Sequence, residues 1–132
     1  MANALYPDFK RALLNKECDL DTDTIKATLI DSADYTYGSG HTSYATDVAA
    51  AAKVAASSAL GSPTIAVGVF DTADFTWSSV TGDVSEAIIL WDDTHASDEL
   101  IAFYDSTISG MPVTPNGGDI NCAVNASGWF SL

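Results

Sequence analysis

The chain is short of positive charge: Lys and Arg together number 5, against 18 Asp and Glu, for a net charge of −13. A surface this acidic repels phosphate backbones and anionic lipid headgroups, so neither nucleic acid nor a membrane is an expected partner. Long apolar runs are missing too. Asp, Ser or Gly interrupts every candidate well before the ~18 residues that a membrane-spanning helix needs. The opening Met-Ala-Asn-Ala-Leu-Tyr-Pro-Asp has neither the basic start nor the apolar core of a secretory signal, and export by that route is not expected.

Cysteine and histidine are equally scarce. Cys18 and Cys122 could bridge only if the fold brings their Cα atoms within about 7 Å, and in a cytosol two free thiols are the expectation. His41 and His95 are the only histidines, both in loop-like sequence, and no HExxH or His/Cys cluster accompanies them, so no metal site is expected. The G-x-S-x-G elbow of serine hydrolases is absent, as is the G-x-G-x-x-G phosphate fingerprint; Gly38-Ser39-Gly40 is too short and too little basic to cradle phosphate. Neither catalysis nor a cofactor is expected. Asp19, Asp21 and Asp23 imitate the first three ligands of a calcium loop, but Thr24 stands where the turn glycine belongs and Ile30 where the bidentate Glu belongs. They are read as a solvated acidic turn. Asn125-Ala126-Ser127 has the form of a glycosylation sequon and is likewise read as a turn.

What the chain does have is apolar material, 47% of its 132 residues, enough for one domain with a core that needs neither metal nor disulfide. The organising stretch is Val84-Ser85-Glu86-Ala87-Ile88-Ile89-Leu90-Trp91-Asp92-Asp93, apolar at five successive positions before the paired acids. A strand built from it can turn neither face to water, so it must lie inside. Leu100-Ile101-Ala102-Phe103-Tyr104 is a second run of the same kind, and the acidic loop of residues 92–99 joins the two.

Around this pair the patterning predicts a helix over residues 2–16, with Leu5, Phe9, Leu13 and Leu14 on one stripe and Pro7 in its first turn. Residues 25–30 alternate Ile25, Ala27 and Leu29 with Lys26 and Thr28, the pattern of a half-exposed strand. Residues 31–47, rich in Gly, Ser, Thr and Tyr, read as a long surface excursion. Residues 48–60 divide into a turn of helix or loop followed by a strand. Short strands follow over 64–70 and 75–80, residues 106–119 form a loop with tight-turn residues at Pro115-Asn116-Gly117-Gly118, and residues 120–124 and 128–132 supply a last hairpin that ties Trp129 and Phe130 to the body. Trp91 belongs in the core, whereas Trp77, sharing a strand face with Phe75 and Ser79, could point either way. The expected fold is mainly β, an antiparallel β-sandwich or partly open barrel with one short N-terminal α-helix packed on it.

Several motifs, in this order and spacing, carry a resemblance. They are Met1-Ala2-Asn3-Ala4-Leu5-Tyr6, Asp21-Thr22-Asp23-Thr24-Ile25-Lys26, Asp31-Ser32-Ala33-Asp34-Tyr35-Thr36-Tyr37, Val80-Thr81-Gly82-Asp83 with Glu86-Ala87, and Gly110-Met111-Pro112-Val113-Thr114-Pro115-Asn116-Gly117-Gly118-Asp119-Ile120. Together they resemble a widespread family of small virion proteins of tailed bacteriophages, over nearly the whole chain. The chain departs from that pattern near its end, where Val124-Asn125-Ala126-Ser127-Gly128-Trp129 replaces a W-D-N-G turn, leaving the geometry of the last hairpin open.

The resemblance implies a structural component of the virion, assembled in the host bacterial cytoplasm: a decoration (cement) protein on the major capsid shell, or else a tail or head-fibre part. Homo-oligomers in the particle are expected with it. The segments expected to touch neighbours are residues 31–48, with Tyr35, Tyr37, His41 and Tyr44, and the acidic loop with Asp92, Asp93, His95 and Glu99. A carbohydrate-binding module using Trp77 with Tyr35, Tyr37 or Tyr44 is the alternative from another class, because flat aromatic rings stack on sugars.

Overall fold

The computed structural model describes residues 3–105 and 110–132. Strand β7 (Ala87–Asp92) is the middle of a five-stranded antiparallel sheet, and all of its residues are buried. It pairs on one side with β2 (Ile25–Ile30), in register from Ile25 opposite Asp92 to Ile30 opposite Ala87, and on the other with β8 (Glu99–Tyr104). Two short edge strands complete the order β1-β8-β7-β2-β3: β1 (Ala4–Leu5) beside β8, and β3 (Lys53–Ala56) beside β2. The doubly apolar runs are thus the interior strands that their composition demanded, and fully burying each of Ile88, Ile89 and Leu90 stabilises the fold by roughly 1.5–3 kcal/mol.

Strand β2 departs from expectation. Its alternation suggested a half-exposed strand, yet Thr28 is fully buried. The cause is the chain that follows: the single helical turn α2 (Tyr44–Asp47) brings Tyr44 over this face, where Thr28 Oγ1 donates to Tyr44 OH at 3.0 Å and accepts from Trp91 Nε1 at 2.9 Å. Tyr44 stacks on Trp91 with centroids 3.9 Å apart and planes 6° from parallel. A buried hydroxyl is tolerable when its bonds are made, so threonine serves here as a polar core residue.

Helix α1 spans Pro7–Leu14, shorter than the predicted stripe. The residue before a proline is pushed out of the helical region, and Tyr6 is extended at φ −73°, ψ 133°, so the helix cannot begin earlier. Leu5 therefore lies in β1, opposite Ala102, while Phe9 and Ala12 form the buried face and Leu14 is left 86% exposed. The helix ends at Asn15, with Lys16 in the left-handed region at φ 62° and the Glu17 N–H reaching back to the Ala12 carbonyl at 2.8 Å.

The remaining strands form two small antiparallel sheets. Residues 64–70, expected as one strand, are a hairpin of β4 (Thr64–Ala66) and β5 (Val69–Asp71), whose turn residues Val67 and Gly68 both have positive φ. Strand β6 is limited to Phe75–Trp77 and pairs with β9 (Ile120–Cys122), while β10 (Phe130–Ser131) pairs with β5. The last two strands do not make a hairpin with each other; each joins an earlier one. Trp129 secures this arrangement, its backbone N–H donating to the Phe70 carbonyl at 2.7 Å and its indole N–H to Thr72 Oγ1 at 2.8 Å. Phe130 packs edge-on against Phe9 of α1 at 5.8 Å, so the C-terminal strand is tied to the body as Trp129 and Phe130 required. The alanine-rich segment divides as expected, a 3₁₀ turn over Ala50–Ala52 leading into β3. Cys18 and Cys122 are both free, and the sequon is a turn closed by Ser127 N–H donating to Asn125 Oδ1 at 2.8 Å.

Candidate subunit-contact surface

The excursion after β2 and the acidic loop between β7 and β8 lie against each other. Ser43 pairs antiparallel with Glu99, the Tyr44 N–H donates to the Asp98 carbonyl at 2.8 Å, and the Leu100 N–H donates to the Thr42 carbonyl at 2.9 Å. Residues 42–44 thus prolong the ladder at the start of β8. The Asp47 carboxylate braces the junction by accepting the backbone N–H groups of Thr42 and Ser43, at 2.7 and 2.9 Å, and those bonds hold its pKa below the usual carboxylate value. Ser43 caps α2 through Thr46 N–H at 3.3 Å.

This folding-back overturns part of the expected contact set. Tyr35 and Tyr44 are buried in the protomer, Tyr35 in a chain running from Tyr6 OH through Tyr35 OH, at 2.7 Å, to His41 Nδ1, at 2.9 Å. Asp92 and Glu99 are buried as well, 0% and 1% exposed. The reason is common to all four: they belong to the strand ends and to the loop segment that covers the sheet face. Tyr37, His41 and His95 are partly exposed and Asp93 is exposed. Asp93 pairs with Lys26 Nζ at 2.9 Å, and His95 stands between Glu17 at 3.6 Å and Glu99 at 4.0 Å. Trp77 is also buried, its indole N–H donating to the Ala27 carbonyl at 3.1 Å, so Trp77, Tyr35 and Tyr44 form no exposed platform for sugar rings.

Local patterns did not reveal the Asp92–Glu99 pairing. Asp92 Oδ1 accepts the N–H groups of Thr94 and His95, at 2.9 and 3.2 Å, and so closes the turn after β7; Asp92 Oδ2 and Glu99 Oε1 meet no donor. Each has another carboxyl as a neighbour, Asp23 for Asp92 and Asp8 for Glu99, while the Cys18 thiol also faces Asp92 and Arg11 acts on Glu99. Two carboxyl groups bond only when one holds a proton. Burial first, then these acidic neighbours, push Asp92 up to about 6 and Glu99 up to about 7.

Asp19 and Asp23 spend carboxylate oxygens on their own turn, Asp19 Oδ1 accepting Asp21 N–H at 3.1 Å and Asp23 Oδ2 accepting Asp19 N–H at 2.7 Å. Elsewhere, among the described residues, carboxylate oxygens of Asp31, Asp34 and Asp83 converge within 4.8 Å. Nothing in the local sequence links Asp83 to the other two. A further feature without a sequence signal is a cleft beneath β6 and β9, whose floor includes Leu29 and Ile88.

Fold and surface together define a mainly β protein of antiparallel sheets with one short helix, presenting two conjoined loops at the start of β8. No protein-family model matches the chain, and no curated protein matches it.

Proposed function

We propose that this protein is a non-enzymatic structural component of a tailed-bacteriophage virion, a decoration protein bound to the shell of the major capsid protein. The motif order from Met1 to Ile120 supports the virion class. The observation that carries the decoration role is the Ser43–Glu99 pairing, which joins the long excursion after β2 and the short acidic loop into one surface on the sheet. Rigid, loop-borne surfaces of this kind suit repeated docking, because little conformational entropy is lost when they bind. Tyr37, His41, Asp93 and His95, with exposed Ala45, Thr46 and Ser97 of the same loops, are the side chains offered to neighbours.

The net charge of −13 favours the particle's exterior, away from packaged DNA. Copies meeting in a homo-oligomer must hold their carboxylates apart, since charges within the ~8 Å screening length repel. Gel densitometry of purified virions tests the reading. Decoration requires copy numbers comparable with the major capsid protein; a few copies per particle would move the protein to the tail or a head fibre, and its absence from particles would end the virion reading.

A further inference from the structure

Among the described residues, the β6–β9 pair and the C-terminal strand cover the sheet face opposite Tyr44 and leave a cleft between them. Leu29, Ile88 and Tyr104 lie side by side across β2, β7 and β8 and line a cleft of about 700 Å³. Trp77, Ile120 and Cys122 contribute from the β6–β9 pair. Met111 and Val113, with Trp129 and Phe130 of the C-terminal strand, supply the remaining apolar walls.

Two features state what the cleft would hold. Among the described residues no Asp, Glu, Lys, Arg or His lines it, in a chain that carries 18 acids and 5 basic residues. The polar ends of its rings are also engaged: the Trp77 indole N–H donates to the Ala27 carbonyl, the Trp129 indole N–H to Thr72 Oγ1, and the Tyr104 hydroxyl to the Trp129 carbonyl at 2.7 Å. What these rings turn to the cleft is therefore apolar. Exposed Asn121, Asn125 and Ser127 supply a neutral polar rim. A charged ligand would lose its hydration here without gaining a counter-charge.

The volume lies within the roughly 300–1,000 Å³ of small-molecule sites, and a single side chain from a partner would leave most of it empty, forfeiting contact along the walls. We propose that this cleft binds a neutral, largely apolar small molecule, its body against Trp77, Tyr104 and Trp129 and any polar end at the asparagine rim. This site is separate from the conjoined loops and does not rest on the virion reading.

The test uses the full chain and the neutral dye N-phenyl-1-naphthylamine. Saturable fluorescence enhancement at one dye per chain is expected, with displacement by 1-naphthalenemethanol at least about tenfold better than by the anion 1-naphthoate. Occupancy should slow alkylation of half-buried Cys122 by N-ethylmaleimide at least about fivefold at dye concentrations above four times Kd, while Cys18 is buried with or without dye. Ala123 lines the cleft and is exposed, so Ala123→Trp should weaken dye binding at least about tenfold, whereas Leu14→Ser, at an exposed apolar position elsewhere, should leave it unchanged. Unsaturable dye uptake, equal displacement by the anion, or dye binding that leaves Cys122 alkylation unslowed would overturn the proposal. If Ala123→Trp does not fold, Cys122 protection in the unaltered chain decides.

Discussion

Asp92 and Glu99 stand opposite each other across β7 and β8, each almost wholly buried and each with one carboxyl oxygen that meets no hydrogen-bond donor. The arrangement makes these two groups act on stability in the direction opposite to that of paired carboxylates. Both groups hold their protons more tightly in the native state than in the unfolded chain, with Asp92 pushed up to about 6 and Glu99 to about 7. Their stabilisation is complete below the ordinary carboxylate range and is lost as pH rises through 6 to 7. Asp8, Asp47 and Glu17 are shifted the other way, so their contributions change below the ordinary carboxylate range, whereas Asp98, raised by burial and by Asp93, adds to the fall. Thermal unfolding should show a Tm that falls from pH 5 to pH 8, corresponding to about 4 kcal/mol of stability. In the double variant Asp92→Asn, Glu99→Gln the slope should flatten; a Tm that rises over this interval would refute the assignment.

Thr28 links Trp91 and Tyr44 inside the protein. Replacing it with valine keeps the shape and removes the hydroxyl, leaving the Trp91 indole N–H and the Tyr44 hydroxyl buried without that partner. Urea denaturation should record a loss of about 1–3 kcal/mol. A neutral Thr28→Val would mean that the strand face is open to water at this point.

The two ends of the helical stripe should respond differently. Phe9 is fully buried against Phe130, and truncation to alanine should cost about 3–5 kcal/mol. Leu14→Ser should change stability by no more than about 0.5 kcal/mol, because Leu14 is 86% exposed. Equal losses at both positions, measured by the same denaturation, would restore the longer helix that periodicity suggested.

Val67 occupies the first turn position of the β4–β5 hairpin at φ 52°, fully exposed. A β-branched residue is strained in the left-handed region, and its side chain, standing in water, contributes no packing to offset that strain. Val67→Asn would create the Asn-Gly pair that such turns favour. A gain of about 1 kcal/mol is expected in the unfolding free energy. A loss would show that Val67 is held by something other than its backbone.

Much of the central sheet was legible in the residues. An unbroken apolar run such as Ala87 to Trp91 must be covered on both faces, which an interior strand satisfies, whereas the apolar stripe placed the helix from residue 2 and left unread the effect of Pro7 on Tyr6 that sets its start. The contact surface was legible only by segment. Loop composition located residues 31–48 and 92–99, but loop composition carries no signal for which side chains turn inward, so Tyr35 and Tyr44 passed for surface residues when the sheet needed them as cover.

The amino-acid order by itself determined the elements whose energetics are local: interior strands from apolar runs, the helix start from proline, turns from Gly and Asn, and an exterior short of positive charge. Tertiary structure alone decided who meets whom. The pairing of β9 with β6 and β10 with β5, the burial of Thr28, the opposition of Asp92 and Glu99 and the open cleft all join residues distant in sequence. Such contacts depend on register and on how loops fold back over a sheet, and a one-residue slip in register turns every side chain of a strand to its other face, which no local pattern encodes.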